Sequence, residues 1–477
     1  MRLRSPFLAA LPLLASACAV GPDYTRPQVA VPATYMGSVG AIPAAAAASA
    51  DLAHWWEGFD DPLLTRLVTT ALAENLDLAQ ATARVTQARA QLGNATAALL
   101  PSGQISGQAA AGHQSNETAI GRIASTQPGY DRDGALYETD LGASWEIDLF
   151  GGLRRQREAA RADYQAAEAA ASAARLAVAA QTADTYVVIR GLQARLAVAQ
   201  AQIDTQQRLL DTVRLQYTKG IAAELQVRQA EGALAQVQAT VPDLTLALDQ
   251  AMNALDVLLA TPAGTHRAEF AAAAPIPAVP TLADAGTPAD LLRRRPDIIV
   301  AERKLAASNA RIGSAIAEYY PKISLSGLLG TATTAAGGFL TGGAMQAQGG
   351  VGLRWRLFDF GRIDAEVAAA RGGNAEALAA YRLSVLRATQ DVEDSLSALG
   401  NRSRQEAVLA KGEDSLARAR AASFAAYKGG VVSLIEVLDA DSRLLATRDA
   451  RIRARAGTAQ AAIASFRALG GGWDVRS

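Results

Sequence analysis

Residues 141–167 read LGASWEIDLFGGLRRQREAARADYQAA, and residues 350–372 read GVGLRWRLFDFGRIDAEVAAARG. In each, alternating apolar positions lead to a tryptophan, then to phenylalanine-glycine, then to a proline-free run of alanine and charge. Trp145 and Trp355 stand 210 positions apart, as do Tyr217 and Tyr427, and Gly220 and Gly430. Upstream, Pro101 and Pro321 each end a helical pattern and stand 220 apart. The interval from proline to tryptophan is therefore 44 residues in the first copy and 34 in the second, so the first carries a loop about ten residues longer. A period this long is a duplicated half-domain rather than a short solenoid unit. Each half reads as helix, strand, loop, strand, very long helix, turn, helix.

The long helices set the architecture. From Leu153 to Lys219 there is no proline and one glycine, Gly191. Such a run predicts about 67 residues of helix, roughly 100 Å at 1.5 Å per residue. Arg362 to Lys428 repeats the pattern. Helices of this length need a partner along their whole course. Their apolar positions are small, with Ala159, Ala160, Ala166, Ala167, Ala169 and Ala170 in one stretch. Small side chains suit close contacts on more than one face, which a closed ring of helices requires. Returning helices are expected after Lys219-Gly220, running toward Leu259 with an interruption at Pro242, and from Val431 to Leu469. Tight glycine turns imply antiparallel neighbours and hairpin tips.

The segments between read as strands: 104–110, 141–150, 322–328 and 350–360. Leu141, Ala143, Trp145, Ile147 and Leu149 alternate onto one face, and Val351, Leu353, Trp355 and Leu357 do the same. Period two with aromatics at the strand end is the pattern of a membrane barrel. Trp145, Phe150, Trp355, Phe358 and Phe360 are the expected membrane-interface residues. Four strands cannot close a barrel alone, because small closures use about eight. The strands need other subunits. Four from each of three chains would make twelve, and the same symmetry would close the helices into a tube, although the residues themselves show the need for partners and not their number. The expected fold class is a mixed α/β membrane protein, a long antiparallel α-helical barrel plus a transmembrane β-barrel.

Composition narrows the function. Lys+Arg and Asp+Glu are both 46, for a formal net charge of 0. A nucleic-acid binder would carry a basic surplus. The three histidines, His54, His113 and His266, are scattered and there is one cysteine, so no Cys/His metal cluster and no intrachain disulfide are expected. Without a nucleotide loop, a GxSxG elbow or a metal cluster, no cofactor and no enzymatic activity are expected. The opening MRLRSPFLAALPLLASAC has a basic start, an apolar stretch and small residues before Cys18. It predicts a secretory leader over 1–17 with Cys18 lipidated. Beyond it, no apolar run is long enough for a membrane-spanning helix.

These residues resemble the outer-membrane efflux proteins of tripartite pumps, in particular the lipoprotein branch that works with resistance-nodulation-division pumps. The resemblance covers essentially the whole chain after the leader. CAVGPDYTRP, 18–27, resembles that branch's mature start. HWWEGFDDPLLTRLV, with Trp56, Phe59, Asp61 and Leu63, resembles its start-of-domain motif. The most specific piece is LLRRRPDIIVAERKLAASNARIGSAIAEYYPKISLSG, which carries the signature positions Arg295, Pro296, Asp297, Glu302 and Pro321. The resemblance implies a homotrimer in the outer membrane that extends into the periplasm. It also implies a periplasmic adaptor and an inner-membrane pump as partners, and passive exit of drugs or small solutes. The outer-membrane channel of a type I protein secretion system is the alternative, and a non-conducting tether across the periplasm is a third.

The resemblance also assigns residues. Tyr427, Glu436 and Asp439 match an aromatic and two acidic residues that line the periplasmic entrance, with Glu where the best-known members have Asp. Glu436 and Asp439 stand at i,i+3, on one helix face, and symmetry would stack them into carboxylate rings that attract cations. Arg214 and Arg228 are candidate ion-pair partners. The turns at Lys219, Gly220 and Ile221 and at Gly429, Gly430 and Val431 match the adaptor-docking surface. The expected organisation is a leader (1–17), an N-terminal extension (18–60), a first repeat (61–262), an equatorial linker (263–285), a second repeat (286–470) and a tail (471–477).

Overall fold

The computed structural model describes residues 19–36, 52–280 and 287–473. The elements in order are α1 (Pro62–Glu74), α2 (Leu76–Ala97), β1 (Ser102–His113), α3 (Ala119–Ala124), β2 (Asp133–Ile147), α4 (Gly152–Thr218), α5 (Glu224–Gln238), α6 (Thr240–Leu258), α7 (Pro288–Arg294), α8 (Pro296–Ala317), β3 (Lys322–Thr333), β4 (Met345–Arg354), α9 (Arg362–Lys428) and α10 (Leu434–Ala468). Both long helices have 67 residues. The duplication holds at their ends: α4 and α9 are offset by 210, and α2 and α8 by 220. The chain divides into two compact units, one drawn from residues 1–27, 86–166 and 301–380, the other from 28–85, 167–300 and 381–477.

The first unit holds the sheet, a four-stranded antiparallel meander in the order β1-β2-β3-β4. The ten extra residues of the first copy fall in its β1–β2 loop, which also carries α3, so the paired stretches of the two hairpins keep equivalent registers. The second strand of each hairpin stops earlier than the apolar alternation suggests. Leu149 and Phe150, and Trp355, Leu357, Phe358 and Phe360, lie between strand and helix. Asp148 accepts from the amides of Leu153 and Arg154, and Asp359 from those of Gly361 and Ile363. Capping carboxylates favour helix there over further strand.

The second unit is helical. Asp61 caps α1 by accepting from the amides of Leu63 and Leu64, with Pro62 at the first helical position. Trp55, Trp56 and Phe59 are buried, and Trp55 stacks on Phe466 with centroids 5.5 Å apart. α4 begins in the first unit and there buries Ala159, Ala162 and Ala166, followed by Ala169, a three-four-three spacing that marks a coiled-coil seam; further along it also buries Ala179, Ala180, Ala183 and Ala199. Ala160, Ala167 and Ala170 lie off that seam and are not buried in a single chain. The interruption expected at Pro242 falls three residues earlier, at Ala239 between α5 and α6, and leaves Pro242 in the first turn of α6, where its missing N–H costs little. Among the described residues no helix is long and apolar enough to cross a membrane.

Candidate channel wall and entrance

The sheet has two chemically different faces. Aligned across the strands, Trp145 faces Leu325 and Leu325 faces Val351; Ile147 faces Ile323, and Ile323 faces Leu353; Ile105 faces Leu141, and Leu141 faces Leu329. These odd-numbered positions form an apolar ladder. The even-numbered positions of the same strands include Gln104, Ser106, Gln108, Glu138, Asp140, Ser144, Glu146, Lys322, Ser324, Ser326, Gln346, Gln348 and Arg354, with glycines and alanines between them and Leu136 and Leu328 as the large apolar exceptions. Gln346 donates to both Glu138 and Asp140. The apolar face is bare in one chain, with Ile105 77% and Val351 75% exposed. A sheet apolar on one side and polar on the other, with open edges at β1 and β4, is the wall of a barrel that one chain cannot complete.

The two tryptophans expected at the membrane interface are held by a shared device. The Trp145 indole donates to the Leu99 carbonyl, and the Trp355 indole to the Tyr319 carbonyl, both at 2.9 Å. Each acceptor lies two residues before Pro101 or Pro321, in the closing turn of α2 or α8, where carbonyls lack a helical partner. The polar edge of each ring is thereby satisfied while 37% of Trp145 and 50% of Trp355 stay exposed, the amphipathic placement suited to a membrane boundary. Phe150 stacks on Tyr320 at 4.5 Å, whereas Phe358 and Phe360 are exposed.

The segment after Cys18 is fastened to the same unit. Val20 donates its amide to the Phe150 carbonyl, and Asn309 donates to the Pro22 carbonyl. Arg155 donates to the Val20 and Gly21 carbonyls and pairs with Asp23 at 2.7 Å. Tyr24 donates to Glu302 at 2.5 Å. Gly21, at φ 94°, passes so close to Gly313 that a side chain on Gly21 would overlap its Cα. Cys18 and the leader lie outside the described residues. Ala19, the next residue, lies against Gly151, beside the interface aromatics.

The signature residues are structural fasteners. Arg295, nearly buried, donates to Asp297 through Nε and an Nη at 3.0 and 2.7 Å, to Asp391 at 2.9 Å and to the Ala468 carbonyl at 3.2 Å. It ties the start of α8 to α9 and to the end of α10. Burial alone would lower its pKa, but the two carboxylates more than offset this and hold the guanidinium charged. Pro296 opens α8. Glu302 is buried, which alone would raise its pKa, yet the Arg303 fork at 2.6 Å and the Tyr24 hydroxyl hold it below the ordinary carboxylate range. Pro321 separates α8 from β3.

At the hairpin ends the two copies are again the same. Gly220, at φ 76°, donates to the Tyr217 carbonyl and Ile221 to Gln216; Gly430, at φ 73°, donates to Tyr427 and Val431 to Ala426. This pair of bonds closes a helix through a left-handed glycine. Lys219 and Gly429 are exposed beside them, and Ile221 and Val431 project outward at 74% and 79% exposure. Within the hairpins Leu209, Leu210, Val213, Val227, Leu234, Tyr427, Leu434 and Val437 form one apolar cluster.

The three residues expected at the entrance are not side by side. Tyr427 is buried in that cluster, where burial raises its pKa, and its hydroxyl donates to Gln216 at 2.7 Å, joining α9 to α4. Glu436 and Asp439 are on the exposed face of α10, and Asp439 pairs with Arg443 at 2.9 Å. Arg214 and Arg228 pair instead with Glu231, and Arg228 also with Glu224. Sequence reasoning passed over Asp441, buried on the same helix and paired with Arg420 at 2.7 Å. Among the described residues no group of His, Cys, Asp and Glu could hold a metal ion.

An unfinished two-faced barrel wall carried by a duplicated chain with 67-residue helices defines a channel subunit. The chain belongs to the outer membrane efflux protein family, whose model matches residues 67–261 and 287–471. It is similar to Nodulation protein T of Rhizobium leguminosarum bv. viciae, 33% identical over 91% of this chain and 87% of that protein. It is also similar to outer membrane protein OprJ of Pseudomonas aeruginosa, 32% identical over 98% and 96%. Among solved structures the outer-membrane channel OprN superposes with a TM-score of 0.86 at 31% identity, covering 96% of this chain and all of that one. The protein is an outer-membrane channel of an efflux system.

Proposed function

We propose that three copies of this chain form one continuous passive duct that gives drugs or other small solutes an exit from a periplasmic adaptor and an inner-membrane resistance-nodulation-division pump. The observation that supports this most is the sheet: four strands with two open edges, an apolar face bare in one chain and a polar face lined by Gln, Ser and carboxylates. Three such sheets make twelve strands, apolar toward lipid and polar toward the lumen. Repeats 61–262 and 286–470 then contribute equivalent sectors of wall, and the described parts of the extension and linker, residues 19–36, 52–60 and 263–280, pack around them; residues 37–51, 281–286 and 474–477 lie outside the described residues. Cys18 carries the lipid, consistent with the fastening of residues 19–24 beside the aromatic band.

In this reading Glu436 and Asp439 form carboxylate rings at the periplasmic entrance. Tyr427 acts from behind them by tying the second hairpin to the first. The adaptor docks on the exposed aliphatic tips at Ile221 and Val431 and the glycine turns beside them. The channel performs no chemistry. Selection of cargo rests with the pump, consistent with relatives whose names refer to cations, pyoverdine and toluene. Native mass spectrometry of the detergent-extracted protein tests the assembly: three copies per particle is the expected result, and a monomer that nonetheless supports efflux overturns it.

A further inference from the structure

The open edges and the internal duplication together specify how one copy meets the next. Paired residue numbers add to 246 in β1–β2 (Ser102 with Ser144) and to 676 in β3–β4 (Lys322 with Arg354). Shifting the first strand by 220 and the second by 210 accounts for the whole difference, so the duplication is faithful to the single residue. The β2–β3 pairing, which joins the end of one repeat to the start of the next, adds to 470, as in Trp145 with Leu325. The same shifts carry β2 onto β4 and β3 onto β1, and the sum becomes 460. We propose that β4 of one copy pairs antiparallel with β1 of the next in this register, placing Gly350 opposite Ala110 of the partner subunit and Trp355 level with Ile105 of the partner subunit. This rests on the ring of copies argued under the proposed function.

Two properties of the chain agree with it. The sum is even, so odd positions meet odd and even meet even. Val351 then faces Ala109 of the partner subunit, Leu353 faces Gly107 of the partner subunit, and both faces continue across the junction unbroken. A slip of one residue would turn every side chain of the edge strand to the wrong face. The second property lies outside the strands. Phe150 stacks on Tyr320 at the end of α8. The same shifts make Phe360 and Leu100 of the partner subunit the counterparts of this pair, with the backbone left-handed at Phe360 and not at Phe150. In the single chain Phe360 is fully exposed at 102%, on a left-handed backbone with φ 55°, and Leu100 is 62% exposed. A bulky residue in that conformation needs surrounding contacts to hold it, and the next copy supplies them.

Gly350→Cys combined in turn with Gln108→Cys, Ala110→Cys and Gly112→Cys tests the register by copper-phenanthroline oxidation in outer-membrane fragments. Residues directly opposite in an antiparallel pair lie within disulfide reach, whereas a partner displaced by two does not. A covalent trimer is expected with Ala110→Cys, and its loss with the other two. Each single variant should give none, which also accounts for native Cys18. A maximum at Gln108→Cys or Gly112→Cys overturns the register. No product from any pair, with native mass spectrometry still showing three copies, overturns edge pairing at β1 and β4. A monomer in that spectrum overturns the ring itself, and the register with it.

Discussion

The two repeats solve one structural problem with different side chains. At the junction of α1 and α2, Asn75 donates to the Leu258 carbonyl at 2.9 Å; at the junction of α7 and α8, Arg295 donates to the Ala468 carbonyl at 3.2 Å. Asn75 and Arg295 are 220 positions apart and the acceptors 210, so the two bonds are copies of each other. Each reaches the C-terminal end of a returning helix, where carbonyls have no helical donor. The remaining chemistry differs. Asn75 turns its oxygen to the amides of Asp77 and Leu78 and caps α2. Arg295 has five donors and directs others to Asp297, Asp391 and the Ala388 carbonyl. The duplicated backbone therefore requires a donor at that carbonyl, and the second repeat has added a charge network to it. The returning helices differ in a parallel way: α10 is one helix of 35 residues, and its counterpart is divided at Ala239 into α5 and α6.

Breaking the charged version should cost most. Arg295→Ala removes the donor that the Ala468 carbonyl, Asp297 and Asp391 share; both carboxylates are about half exposed, so water replaces part of the lost pairing and a loss of about 2–3 kcal/mol is expected, read as a drop in thermal midpoint in detergent. Arg295→Asn gives the second repeat the first repeat's solution and should recover part of that loss. If it is no better than alanine, the shared carbonyl bond is not what the position requires. Asn75→Ala removes a buried donor and a helix cap together, worth about 1–3 kcal/mol.

Acid should reveal the Glu302 network. Its carboxyl sits below the ordinary range in the folded protein, so its stabilisation is complete at neutral pH and is lost as pH falls through the lowered folded value. The gap in thermal midpoint between wild type and Glu302→Gln should therefore shrink on acidification; a gap that does not change with pH contradicts the assignment. Pro242→Ala should change stability least, within about 0.5 kcal/mol, because the third residue of a helix has no intrahelical partner for its N–H in any case.

Much of this was legible in the sequence because duplication and period are backbone properties. The 210-residue offset located both long helices, and alternation at Trp145 and Trp355 located the second strand of each hairpin. The overreach of those strands to Phe150 and Phe360 has a plain cause: apolar alternation continued past the point where Asp148 and Asp359 start the next helix. The side-chain networks were less legible. Arg295 was singled out by resemblance and its equivalent Asn75 was not, although subtracting 220 finds it. The resemblance groups Tyr427 with Glu436 and Asp439, and it carries no information on which way each side chain turns. Helical geometry instead turns the tyrosine into the apolar cluster beside Gln216 and leaves the acids on the exposed face of α10.

Single-channel conductance in a planar bilayer tests the central claim most directly, comparing wild type with the Glu436→Ala/Asp439→Ala variant. A small or rarely open wild-type conductance that rises in the variant and loses cation preference is the predicted result. No conductance from either, with three copies confirmed in the bilayer, would contradict the duct.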